Sequence, residues 1–470
     1  LAQSKFSAAK TNIWKAILES LKGSDADYTK IGLNRAIFLL AVPMILELVM
    51  ESTFAVVDIY FVGRLGPDAI ATVGLTETYL YLLYSIAMGL SMALTAIVAR
   101  RVGEGKKDEA GLTAFQAIVL SVLVSLPFSI AGVFYGEQLL ILMGSDAQSA
   151  ALNQGYTQWM LGANGVIVLL FNLNAVFRGA GDAAIAMKVL WIANGFNIIL
   201  DPILIFGLGP IPAFGIEGAA IASTLGRSIG IMMQVYALAK GGKHIRVLSK
   251  DLKLNVAILL NIIKTSLGGV GQMIIAMTSW IFLMRILANI GSEAVAGATI
   301  TIRVMMFTIM PAWGLSNAAA TLVGQNLGAN DPDRAENSVL KIGWYNMIFL
   351  ILVSVVFFFF NKNLIGIFTT DQNVVDVGAE WLKIMSYSFF IYGWWMVSVQ
   401  AFNGAGDTKT PTWINLIFFW IIQIPLAYFL AIHLNWNQSG VFWAVFISES
   451  SVGLFTFYMF RKGKWKTYKV

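Results

Sequence analysis

The chain contains no cysteine. Disulfides and thiolate metal sites are therefore excluded, and cysteine usage says nothing of the redox compartment. Histidine is almost as scarce: only His244 and His433 occur, far apart in sequence, which argues against a histidine-based metal centre. No Gly-rich phosphate loop ending in Gly-Lys-Ser or Gly-Lys-Thr is present, so nothing points to ATP hydrolysis, and any active step must draw on an ion gradient. No nucleophile stands near a base in sequence, which disfavours a membrane-embedded enzyme. Charged residues make up only 12% of the 470. The first 30 residues lack the unbroken apolar centre and cleavage pattern of a signal peptide. The chain opens on Leu1 rather than Met, so a start further upstream is expected.

What remains is overwhelmingly apolar. With 57% hydrophobic residues and a mean hydropathy of +0.72, the composition is that of a polytopic α-helical membrane protein. Apolar runs continue for 20 residues and more without alternating, which excludes a β-barrel. The net charge of +6 does not imply nucleic acid, because in a membrane protein the placement of basic residues matters more than their sum. Twelve spans are expected, at 33–62, 71–100, 111–136, 153–178, 184–208, 215–239, 255–288, 295–326, 336–361, 377–402, 410–433 and 439–460.

Basic residues fall on alternate connections: Arg100, Arg101, Lys106 and Lys107; then Lys240, Lys243, Arg246, Lys250 and Lys253; then Arg461, Lys462, Lys464, Lys466 and Lys469. Arg64 and Lys362 are the exceptions on the other side. By the positive-inside rule both termini are expected in the cytoplasm, in a multi-pass cell-membrane protein. Ahead of the first span, Ile13, Trp14, Ile17, Leu18 and Leu21 recur at helical spacing among Lys5, Lys10, Lys15 and Lys22. Residues 1–32 are read as a cytoplasmic segment, either a helix lying on the anionic leaflet or a frayed tail.

An internal repeat organises the chain. At a constant offset of 225, GLSMA at 89–93 meets GLSNA at 314–318, and FRGAGD at 177–182 meets FNGAGD at 402–407. Gly66, Ala69 and Ala71 meet Gly291, Ala294 and Ala296; Gly215, Ala219 and Ser223 meet Gly440, Ala444 and Ser448. Each repeat holds six spans, so the halves share orientation about an axis along the membrane normal, with a central cavity between them. The fold class is thus all-α, with twelve transmembrane helices in two parallel six-helix lobes. The expected division is an N-lobe at 33–239, a basic linker at 240–254, a C-lobe at 255–460 and a tail at 461–470.

Charge inside this apolar frame marks the candidate site. The first span carries Glu47, Glu51 and Asp58. At about 100° per residue, Glu51 and Asp58 fall within roughly 40° of Glu47, so the three carboxylates share one helical face. A buried carboxylate costs at least about 2.5 kcal/mol in hydrocarbon, so this face should look into a bundle or a watered cavity. For Glu47 and Glu51 the competing reading is a bond to a neighbouring helix or a place near the interface. Pro43 sits one turn earlier and would free a carbonyl, compatible with a bend or with a straight helix. In the fifth span, Asn194, Asn197 and Asp201 share a face, and Pro202 leaves the Ile198 carbonyl without its helical donor.

Two carboxylates, an amide oxygen and a freed carbonyl suit either Na⁺, with Asp58, Asn197 and Asp201 as ligands, or a shared proton; the residues do not separate the two. A structural hydrogen-bond pair between Asn197 and Asp201 is the competing reading. At the repeat offset these positions meet Leu283, Ile422 and Leu426, and Glu47 meets Gln272, so the acidic residues are expected to belong to the first half. Glu77, Gln272, Trp280 and Arg303 are further candidates for the cavity wall. Arg303 could neutralise an acid or snorkel; Trp280, Tyr392, Trp394 and Trp395 could stack on an aromatic cation or merely pack. Met305, Met306 and Met310 would suit a pliable pocket or fill gaps.

Several of these segments are familiar in combination. VDIYFVGRLG at 57–66, NIILDP at 197–202, GIEGAAIAST at 215–224 and the paired GAGD segments, in this order on a twelve-span repeat, resemble the multidrug and toxic compound extrusion (MATE) family of secondary exporters. The resemblance covers nearly the whole chain. It implies a V of two lobes exporting cationic or amphiphilic compounds in exchange for Na⁺ or H⁺, with no cofactor. It also implies an N-lobe cation site at Asp58, Asn197 and Asp201 with a hydroxyl from Ser223 or Thr224. The seventh span offers Gln272 where many members place an acid, which puts a C-lobe coupling site in doubt, and Glu47 and Glu51 lie outside the family pattern. The implied partners are small organic cations or amphiphiles and membrane lipids, with no nucleic acid, and the chain is expected to be monomeric. A lipid-linked oligosaccharide flippase of the same superfamily is the alternative function; the count of twelve spans and the acidic first half favour the exporter.

Overall fold

The computed structural model describes residues 13–241, 244–468 and 470. Lys5, Lys10, Lys243 and Lys469, used above for orientation and for the leading segment, lie outside the described residues. Helix α1 (Ile13–Lys22) rests against the start of the next helix, where Arg35 pairs with Glu19 at 2.6 Å. The N-lobe then follows as α2 (Leu33–Gly63), α3 (Pro67–Gly103), α4 (Lys107–Leu142), α5 (Ala147–Gly162), α6 (Asn164–Ala180), α7 (Ala183–Phe206) and α8 (Ile216–Lys240). The C-lobe repeats the order as α9 (Val256–Ile290), α10 (Ser292–Gly328), α11 (Pro332–Gly366), α12 (Gln372–Ser386) and α13 (Phe389–Ala405). Its eleventh span is built from α14 (Lys409–Asn415), a π-helical stretch Leu416–Gln423, α15 (Ile424–Tyr428) and a second π stretch Phe429–His433, before α16 (Asn437–Arg461) closes the lobe.

Each of the twelve expected spans is found. Among the described residues, ten are long and apolar enough to cross a membrane by length and composition. The other two are α8, diluted by Arg227 and Gln234, and the α12–α13 pair, interrupted at Tyr387 and Ser388. Pro43 is buried in α2, which runs as one helix through it.

The repeat extends to backbone irregularities that sequence identity does not reveal. Non-helical residues interrupt α4 at Tyr135 (φ −127°, ψ 21°) and α11 at Phe360 (φ −116°, ψ 18°), positions related by the same offset. The fourth span breaks at Ala163, and its counterpart breaks at Ser388. Gly181 (φ 93°) and Gly406 (φ 89°) end the paired GAGD helices in the left-handed region. The symmetry fails in the eleventh span, where π-helix replaces the regular α7.

The lobes meet at the end that carries Arg100 and Arg101 and part at the other. A side chain on Gly103 would strike the Gln325 carbonyl, and one on its repeat mate Gly328 would strike the Arg100 carbonyl, so the ends of α3 and α10 touch backbone to backbone. Thr321 donates to the Arg178 carbonyl at 3.1 Å and Gln325 to the Gly179 carbonyl at 3.0 Å. Tyr28 fills the same junction: its hydroxyl donates to Gly181 at 3.1 Å, and Arg334 of the C-lobe donates to its carbonyl at 3.0 Å. Burial pushes the Tyr28 phenol well above its usual range, keeping the donor protonated. At the opposite end Asp68, Glu77, Glu293 and Arg303 are exposed.

Candidate functional site

Three buried residues of α7 form the deeper cluster. Asn194 and Asn197 are 2% exposed and Asp201 is fully buried, and steps of three and four put them on one face. Gly226 of α8 lies against Ala193 and Asn197, and the missing side chain lets the two helices close on each other. One turn earlier on α8, Ser223 accepts a hydrogen bond from Asn197 Nδ2 at 3.0 Å. Thr224 is half-buried; its carbonyl accepts from the Ser228 hydroxyl, and its own hydroxyl has no hydrogen-bond partner among the described residues. The hydroxyl facing the cluster is therefore that of Ser223.

What the cluster leaves open is its negative side. Neither carboxylate oxygen of Asp201 nor the amide oxygen of Asn197 has a hydrogen-bond partner among the described residues. Asp58, half-buried on α2, lies near enough for its charge to act on Asp201, and it is also acted on by Arg227 and Glu77. Three acceptor oxygens converging in a buried space can hold a small cation or share a proton, whereas left alone they carry an uncompensated desolvation cost. Among the described residues no group of three or more His, Cys, Asp or Glu side chains comes together as a metal site, so a Na⁺ ion here would rely on amide, hydroxyl and carbonyl oxygens beside the two carboxylates.

Below this cluster, toward the closed end, lies a cleft between the lobes. Glu47, Glu51, Asn174, Arg178 and Arg227 line it from the N-lobe, and Met310, Trp313, Asn317, Gln400 and Asn403 from the C-lobe. Glu47 is 4% exposed and bound by Arg178 at 2.6 Å and by Asn174 at 3.3 Å. Glu51 accepts from Asn194 Nδ2 at 3.0 Å, which joins the cleft to the deeper cluster. The wall thus carries two carboxylates and two guanidinium groups rather than a plain negative charge.

The cleft does not include the other four expected wall residues. Gln272 is buried at the α9–α13 contact, donating to Asn403 at 3.0 Å and to the Thr408 carbonyl at 2.9 Å. Trp280 packs on Trp381, 6.0 Å between ring centroids, inside the C-lobe core. Glu77 and Arg303 are exposed at the open end, where their opposite charges act on each other. The aromatics that do line the cleft are Phe171 and Trp313. Tyr392 and Trp395 meet at 4.8 Å with their rings tilted by 44°, and Trp394 is held edge-on against Phe457 at 4.8 Å. Of the three methionines, Met310 faces the cleft, Met305 is in the C-lobe core and Met306 is exposed.

Residue patterns missed two features. Arg178 and Arg227 were not singled out, although each interrupts an apolar helix. The expectation that buried acids belong to the first half also fails: Glu449 of α16 is 7% exposed, with Oε2 unpartnered. It overlays Thr224 at the repeat offset, so the comparison that found the other asymmetries contained this one.

A membrane bundle of two six-helix repeats, with a polar cleft at their interface and buried acids beside it, is the architecture of a secondary transporter. The MatE family model matches residues 43–203 and again 270–429, and the chain belongs to the MATE family of multidrug efflux transporters. It is 24% identical over 438 residues to the probable multidrug resistance protein YoeA of Bacillus subtilis (strain 168), covering 92% of this chain and 94% of that one. It is 26% identical over 408 residues to a FAD transporter of Shewanella oneidensis, covering 84% and 87%. Its fold matches the outward-facing conformation of a multidrug resistance MATE family transporter of the MOP superfamily, with a TM-score of 0.85 at 23% identity over 92% of this chain and 96% of that one.

Proposed function

We propose that the chain is a monomeric, cation-coupled antiporter that exports organic cations or amphiphiles by alternating access, driven by H⁺ or Na⁺. The observation that carries this reading is Asp201, fully buried with both oxygens unpartnered among the described residues, and near enough to a second carboxylate, Asp58, for its charge to act. Such a pair is stabilised when something positive enters between the two acids. The lobes are residues 33–239 and 255–460, joined by the basic linker 240–254, with both termini in the cytoplasm of the cell membrane. In that orientation the cleft opens outward. The entering ion must bind the two conformations with different affinities, otherwise it cannot drive the change.

The test is ethidium uptake into inverted vesicles under separately imposed Na⁺ and pH gradients, for wild type, Asp58→Asn and Asp201→Asn. One gradient should drive uptake in wild type and neither in the variants. Uptake that ignores both gradients, or survives in both variants, overturns the reading. A second reading, an anionic amphiphile as cargo, is favoured by Arg178 and Arg227 in the cleft wall and by the name of the Shewanella relative. Gradient-driven uptake of an anionic fluorophore in place of ethidium would establish it.

A further inference from the structure

Arg227 stands between the two parts of the site. It is 7% exposed and reaches the cleft from α8, one turn beyond Ser223, which binds Asn197. Its guanidinium lies over the Phe54 ring at 5.7 Å, and Tyr84 of α3 and Glu51 and Asp58 of α2 lie near enough to act on its charge. Glu51 and Asp58 are seven residues apart, about 10 Å along the helix, and Phe54 lies between them. Arg227 has no direct ion pair within 4.0 Å among the described residues, unlike Arg178, which is fixed on Glu47 at 2.6 Å. A buried guanidinium resting on a ring face, with two carboxylates seven residues apart acting on it, is free to favour one or the other as their charges change.

We propose that Arg227 is a tethered cation that links the ion site to the cargo site. This inference rests on the reading of Asp58 and Asp201 as the coupling pair. With no ion bound, the two acids draw Arg227 toward Asp58 and leave the Glu51 carboxylate exposed to a cationic cargo. When a proton or Na⁺ neutralises the pair, that attraction is lost and Arg227 moves onto Glu51. The carboxylate that held the cargo is then occupied by the protein's own cation. Cargo and coupling ion therefore exclude each other without sharing a ligand, and each weakens the other's binding to the same degree. Arg227 overlays Val452 at the repeat offset, so the link exists in the N-lobe alone.

The experiment is an ethidium fluorescence titration of the purified, folded protein with the coupling cation low and high, for wild type, Arg227→Gln, Arg227→Lys, Glu51→Gln and Asp58→Asn. In wild type the cation should weaken ethidium binding about ten-fold, the scale of one unit charge within about 10 Å at an effective dielectric of about 20. Arg227→Gln should bind ethidium more tightly by a similar factor and lose the response, while Arg227→Lys should keep it. If the glutamine variant does not fold, Glu51→Gln reads the same link, because it removes the acceptor while Arg227 stays; its response should vanish. A full response in Arg227→Gln or in Glu51→Gln overturns the link. Asp58→Asn separates the two ideas: if it still responds, the coupling pair itself is misassigned, whereas if it alone loses the response, only the Arg227 link fails.

Discussion

Arg178 Nη1 lies 2.6 Å from Glu47 Oε1, at an ion pair with side-chain exposures of 16% and 5%, and the second oxygen of Glu47 has no partner. The pair joins α2 to α6 directly above the junction where Thr321 of the C-lobe reaches the Arg178 carbonyl. One carboxylate of the cleft is therefore matched by a cation, whereas Glu51 accepts from a neutral amide, that of Asn194, at 3.0 Å.

Breaking that pair on one side should destabilise the protein strongly. Arg178→Met strands the buried Glu47 carboxylate, at a cost of about 3–5 kcal/mol, and Glu47→Gln leaves the half-buried Arg178 guanidinium unpaired at a smaller cost. The double variant, which removes both charges, should recover a large part of the loss. Melting curves of the four proteins in one detergent check this; a double variant as unstable as the sum of the singles would show that the residues act separately.

Crowding the lobe junction should shift the conformational balance. Gly103→Val puts side-chain atoms where the Gln325 carbonyl stands, so the closed end must part and the open end come together. The chain has no native cysteine, so spin labels can be placed directly at the exposed pair Asp68→Cys and Glu293→Cys. Electron–electron distance measurements should show a shorter mean separation in Gly103→Val than in the glycine parent.

The two hydroxyl positions of α8 should behave differently. Ser223→Ala deletes the acceptor of Asn197 Nδ2, costing about 1 kcal/mol and raising the half-saturating concentration of the coupling ion about five-fold. Thr224→Ala should leave it within about two-fold, since its hydroxyl serves no partner in the cluster. The readout is transport rate against ion concentration.

Glu449 gives a prediction of opposite sign. Its carboxyl is buried in the C-lobe near Tyr392 with an unpartnered oxygen, and a neutral amide in its place carries no charge to desolvate. Glu449→Gln should raise the melting temperature and leave gradient-driven export near wild type. Loss of export in a stable Glu449→Gln protein would place coupling in the C-lobe as well.

Much of this protein was decided by the sequence alone. Apolar runs of 20 residues and more demand helices, because hydrocarbon offers no partner for an open backbone, and the constant offset of 225 forces two like-oriented lobes with an interface between them. The polar face of α7 and the acid at Asp58 were equally legible, since a charge in such surroundings has few reasons to exist. Tertiary structure alone decided which residues meet across helices. It bound Glu47 to Arg178 within the cleft wall, turned Trp280 into the C-lobe core and Trp313 toward the cleft, and chose Ser223 over Thr224. It set Arg227 between two carboxylates seven residues apart. Spacing along one helix fixes a direction about its own axis, but the partner found in that direction depends on how the other eleven spans are packed around it.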